Sequence, residues 1–84
     1  MALLLLMNIT PNPFTDILIV DLIEADNFPV DLIILDTNEK EVYRNRIFTT
    51  KKIIDVSNVK EGTYRITMLD DGKLLHEGIF SKVG

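Results

Sequence analysis

The chain contains no cysteine and no tryptophan, and only one histidine. Without cysteine there is no disulfide framework and no thiolate metal site, so stability must come from packing alone. A lone histidine excludes a His–His metal pair, and a catalytic base also needs a nucleophile beside it and a third group to orient it. His76 is followed by Glu77, which on a strand points to the opposite face, so it reads as a solvated imidazole. Basic charge is scarce too: nine Lys and Arg against thirteen Asp and Glu leave a net charge of −4. The longest basic run, Lys51-Lys52, reads as a solvated strand end. Nucleic acid is therefore excluded as a partner, because binding a phosphate backbone requires clustered Lys and Arg.

Long apolar runs are missing as well. The opening Met1 to Met7 falls short of the roughly 18 residues a membrane helix needs. It has no basic residues ahead of it, and Asn8-Ile9-Thr10-Pro11 follows where a signal peptide would have a small-residue cleavage site. Residues 1–8 are read either as an edge strand or as residues left from cloning, and residues 9–84 as one domain, with no membrane span. No three glycines are spaced to cradle a phosphate. The carboxylates are scattered; Asp36-Thr37-Asn38-Glu39-Lys40 comes nearest to a calcium loop but lacks the later bidentate Glu. No catalytic residue, cofactor or metal is assigned, although the spacing leaves an inter-loop calcium site open. The chain is read as a non-enzyme.

What the sequence has in abundance is Ile, Leu and Val, a bias that favours strands. Turn signals recur about every 8 to 12 residues, as in a sandwich or barrel. They fall at Pro11-Asn12-Pro13, Ala25-Asp26-Asn27, Thr37-Asn38-Glu39, Ser57-Asn58, Glu61-Gly62 and Asp70-Asp71-Gly72. Between them, strands are expected at Leu3–Ile9, Ile17–Ile23, Val30–Leu35, Glu41–Phe48, Lys52–Val56, Thr63–Leu69 and Leu74–Lys82. Leu18, Val20 and Leu22 are assigned inward, since a buried Asp21 would need a partner. Tyr64, Ile66 and Met68 alternate with Arg65 and Thr67, predicting one apolar and one wet face. Val30–Leu35 is apolar enough on both faces to sit centrally. In the last strand Leu75, Ile79 and Val83 compete with Leu74 and Phe80 for the inside, and periodicity does not decide between them. Asp71-Gly72 predicts a two-residue type I′ hairpin turn. The fold class is all-β: a single antiparallel immunoglobulin-like β-sandwich of about seven strands. Phe14 is expected to close the end of the core, and the other aromatics to serve the core or rim.

Four pieces, in order, resemble the type A C-terminal sorting domain of the Bacteroidetes type IX secretion system. Pro11-Asn12-Pro13-Phe14 with Asp16 and Leu18 is similar to its P-N-P-F-x-D-x-L opening. Ile34-Leu35-Asp36 with Lys40 and Val42 is similar to I-x-D-x-x-G-[KR]-x-V. Ile54-Asp55-Val56-Ser57, Val59, Gly62-Thr63-Tyr64 and Ile66 are similar to I-D-[LV]-S-x-[LV]-x-x-G-x-Y-x-[LIV], and Asp71-Gly72-Lys73 opens the last hairpin. Glu39 stands where the family has glycine, which is expected to move the left-handed residue to Asn38. The final stretch has one lysine where the family has several.

The resemblance implies a secretion signal at the end of a larger cargo protein. Its partners would be the type IX translocon, a sortase-like peptidase and the cargo N-terminal to it. Its destination would be the cell surface or medium by way of the periplasm. The recognised surface is placed on the last hairpin, at Lys73, Leu74, Leu75, Phe80, Lys82 and Val83, with both lysines taken as exposed. A second resemblance is to small secreted β-sandwich domains of gut Bacteroidetes, which implies an accessory adhesion or carbohydrate-binding role. That group lacks the Pro-Asn-Pro-Phe opening.

Overall fold

The computed structural model describes residues 7–22 and 29–84. These form seven strands: β1 (Met7–Thr10), β2 (Ile17–Leu22), β3 (Val30–Leu35), β4 (Glu41–Ile47), β5 (Lys51–Asp55), β6 (Gly62–Asp70) and β7 (Lys73–Lys82). All pair antiparallel in two sheets, ordered β1-β2-β5 and β4-β3-β6-β7. This is a Greek-key β-sandwich of the immunoglobulin-like kind. The expected strand bounds differ from these by a residue or so, as fraying ends allow. Leu3–Leu6, Ile23, the turn at Ala25-Asp26-Asn27 and Phe28 lie outside the described residues.

The core lies between the sheets because each strand turns one apolar set inward. Leu18 and Val20 of β2 and Ile54 of β5 meet Val30, Leu32 and Ile34 of β3 and Ile66 and Met68 of β6, all buried. Phe14 is fully buried and closes one end of that core. Tyr64 and Phe80 lie opposite each other in the β6–β7 register and complete it. The last strand is thereby decided: Phe80 faces in, Leu75 packs partly against the core, and Leu74 and Ile79 face out. Gly78 shares the inward face with Phe80, and a Cβ there would stand 3.1 Å from the Phe80 ring. His76 is exposed, and Phe48 of the β4–β5 connection is exposed rather than in the core.

Two expectations are corrected. The outward face of β6 is not wet throughout, since Thr67 is buried. β6 is an inner strand of its sheet, and Thr67 stands between Ile33 of β3 and Glu77 of β7, so neighbours on both sides cover it. The left-handed residue of the β3–β4 turn is Glu39 itself, at φ 64°, and not Asn38. The reason lies in the turn's hydrogen bonds. Asp36 Oδ1 accepts from the backbone N–H of both Asn38 and Lys40, and Glu39 N–H donates to Asp36 O. A tight turn of this kind rejoins the ladder through a left-handed residue just after its centre. Glu39 holds that place, and its carboxylate pairs with Arg65 of β6. The final hairpin is as expected, with Asp71 at φ 49° and Gly72 at φ 82°, both positive as type I′ requires.

Candidate functional site

β7 is an edge strand, so the N–H and C=O groups of alternate residues point away from β6 and need other partners. The Pro-Asn-Pro-Phe segment supplies them along the second half of the strand. Phe14 N–H donates to Ser81 O at 2.8 Å, and Val83 N–H donates to Phe14 O at 2.9 Å. Phe14 thus makes a parallel bridge with Lys82, after β1 has paired with β2 on the other sheet. The segment from Pro11 to Phe14 carries the chain from one sheet to the other and stitches them together.

Asn12 extends that stitch with its side chain. Its Nδ2 donates to Ile79 O at 3.1 Å and its Oδ1 accepts from Ser81 N–H at 3.2 Å. A carboxamide carries one acceptor and two donors, so it can stand in for a missing peptide unit of a neighbouring strand; a carboxylate cannot. Beyond the strand, Gly84 N–H donates to Glu61 Oε1 at 3.1 Å. Sequence reasoning missed Asn12 as a partner of β7, because a Pro-Asn-Pro run reads equally well as a plain turn.

The six hairpin residues picked out from the sequence fall into two groups. Lys73, Leu74 and Val83 are exposed, with Leu74 at 56%. Leu75 is half-buried, Phe80 belongs to the core, and Lys82 is only 5% exposed. The assumption that both lysines are exposed therefore fails at Lys82. It pairs with Gly62 on the inward-facing register of Phe80 and is flanked by Phe14, so the clamp covers it. Ile79, at 62% exposed, was not singled out and is the most open apolar residue of the strand. On the same outward face Arg65, opposite Ile79, pairs with Glu39 and approaches Glu77 at 3.8 Å.

The remaining family-like pieces prove to be turn chemistry. Asp36 organises the β3–β4 turn as described above. Asp55 Oδ1 accepts from Ser57 N–H at 2.9 Å, and hydrogen bonds from Ser57, side chain first and backbone second, hold the Asp55 carboxyl below the usual range. Tyr64 donates its hydroxyl to Lys60 O, closing a tyrosine corner at the start of β6. A shallow open cavity of about 320 Å³ lies between these turns, with Lys40, Lys60 and Asp36 on its walls. Among the described residues no three His, Asp or Glu side chains converge to hold a metal ion.

The searches of curated proteins and of solved structures returned no match. A family model, that of the secretion system C-terminal sorting domain, matches residues 8–80. That span begins at β1, takes in the Pro-Asn-Pro-Phe clamp and runs to Phe80 within the clamped half of β7. On this match the chain belongs to the C-terminal sorting domain family of the type IX secretion system.

Proposed function

We propose that this domain acts without catalysis, as the export signal of a larger cargo protein lying N-terminal to it. The type IX translocon recognises it once the cargo has reached the periplasm, and a sortase-like peptidase of the same system acts on it afterwards. The cargo ends at the cell surface or in the medium. The observation that carries this reading is the family match over residues 8–80. We place the recognised surface on the terminal hairpin, at Leu74, Ile79 and Val83 of the outward face, with exposed Lys73 beside them at the turn. A recognition surface needs exposed apolar groups on a rigid support, and Leu74 and Ile79 are exposed on a strand paired with β6 along its length and clamped from the other side at Ile79 and beyond. Phe80 and Lys82 support that surface from beneath.

The test is a fusion of a signal peptide, a soluble reporter and this chain in a bacterium with a type IX system. The intact fusion should export the reporter. Lys73→Glu and Ile79→Asp should lose export while keeping the melting temperature. If the intact fusion stays in the periplasm while another sorting domain exports the same reporter, the sorting reading fails and the accessory-domain reading replaces it. If both variants export normally, the recognised surface lies elsewhere.

A further inference from the structure

β5 is the outer strand of the three-stranded sheet. Val56 N–H donates to Asp16 O at 2.8 Å, and Ile54 and Lys52 share its parity in the ladder with β2. The N–H and C=O groups of Lys51, Ile53 and Asp55 therefore point away from β2, to an edge beside which no other strand stands among the described residues. Of these, the Lys51 carbonyl is met by the Thr49 hydroxyl at 2.8 Å. The register with β2 runs without a bulge, so nothing interrupts the edge over its length. Of the devices that commonly protect such edges, this strand lacks a bulge and carries Lys51 and Lys52, the first of which finds an opposite charge in the pairing described next.

The side chains along this edge complement themselves. Lys51, Ile53 and Asp55 share the outward face, and Ile53 is 61% exposed. Beside them on β2 stand Asp21, half-buried Ile19 and Ile17, the last 41% exposed. Lay a second β5 antiparallel along the first with Ile53 opposite Ile53. Lys51 of each copy then faces Asp55 of the other, and Ile19 and Ile53 of the two copies make one apolar stripe across the joint. Residue i meets j and j meets i, the condition for a two-fold interface.

We propose that the β5 edge is a pairing surface for a second copy of this chain, joining two three-stranded sheets into one of six strands. The edge-directed groups of Ile53 and Asp55 find backbone partners, and the Lys51–Asp55 pairs fix the register. The Phe14–Lys82 bridge places β1 beside β7, so β5 lies at the opposite side of the sandwich. Pairing there leaves the terminal hairpin uncovered and is independent of whether a translocon reads it.

Sedimentation of the chain from roughly 10 µM to 1 mM should show a reversible monomer–dimer equilibrium, the range in which small interfaces associate. Ile53→Pro should be monomeric yet fold, because the lost N–H serves no bond among the described residues of the monomer. Lys51→Asp and Asp55→Lys should each weaken self-association by about tenfold, while an equimolar mixture of the two should associate again, since opposite charges then face each other. Should Asp55→Lys fail to fold for want of its bond to Ser57, amide exchange on the unaltered chain gives the same answer. Exchange at Ile53 should slow as concentration rises. A chain that stays monomeric throughout, a dimer that survives Ile53→Pro, or exchange at Ile53 that is indifferent to concentration would each overturn the proposal.

Discussion

The phenol of Tyr64 donates to the carbonyl of Lys60 at 2.6 Å, four residues back along the chain. The bond ties the turn after β5 to the first residues of β6, with the ring buried and the hydroxyl at the surface of the core. Tyr64→Phe keeps the ring and removes only the bond, at a cost of about 1 kcal/mol. For a domain this small that lowers the melting temperature by about 4–8 °C, which calorimetry would register. An unchanged melting temperature would mean the corner contributes nothing to stability.

Asn12 is expected to tolerate neither of its nearest replacements. Asn12→Asp keeps the acceptor for Ser81 N–H but sets a charge against the Ile79 carbonyl, and Asn12→Ala loses both bonds. Each should destabilise the domain by about 1–2 kcal/mol. Amide exchange at Ser81 and Val83 should rise in both, with exchange in β3 unchanged relative to global stability.

The left-handed Glu39 offers a comparison that separates backbone from side chain. Glu39→Gly and Glu39→Ala both lose the pair with Arg65, but only glycine accepts φ 64° without penalty. The glycine variant should therefore be more stable than the alanine variant by about 1 kcal/mol. Equal stabilities in a denaturant titration would show that the turn relaxes to another conformation.

Acid should loosen the turn after β5. Bonds from Ser57 lower the folded-state pKa of Asp55, so its contribution is present above the unfolded value, near 3.9, and is lost as pH falls through the lower folded value. Glu41, lowered chiefly by its hydrogen bond from Arg44, contributes with the same sign. Melting temperature measured from neutral pH downward should fall below about pH 4. In Asp55→Asn the acid limb should be shallower than in the unaltered chain.

The strands were legible in the sequence because short runs rich in Ile, Leu and Val lie between regularly spaced turn signals, and the Asp71-Gly72 turn because its two positive φ angles leave few residue choices. β2 was legible from a single charge, Asp21, which spoiled one of its two apolar faces. The ambiguous β7 was settled by something sequence does not carry: the Tyr64–Phe80 register, which turns Phe80 inward and leaves Ile79 out. Lys82 misled for a related reason. A lysine in a C-terminal strand reads as solvated, but its burial comes from Phe14, most of the chain away. Thr67 differed because a central strand can cover even its outward residues. The clamp was visible as residues and hidden as a contact, since nothing in Pro-Asn-Pro-Phe announces a partner beyond residue 78.

The stitch between Asn12 and β7 joins residues 67 and 69 positions apart. Contacts of such long range form late in folding, because the intervening loop must close before they can reward it. A chain emerging from the ribosome can order β1 to β6 in part, but its opening segment has nothing to grip until Ile79 to Val83 have been made. The domain thereby contains a check on its own completeness. Any receptor that reads the stitched form, whatever its identity, would pass over chains still being synthesised and chains clipped before Ile79.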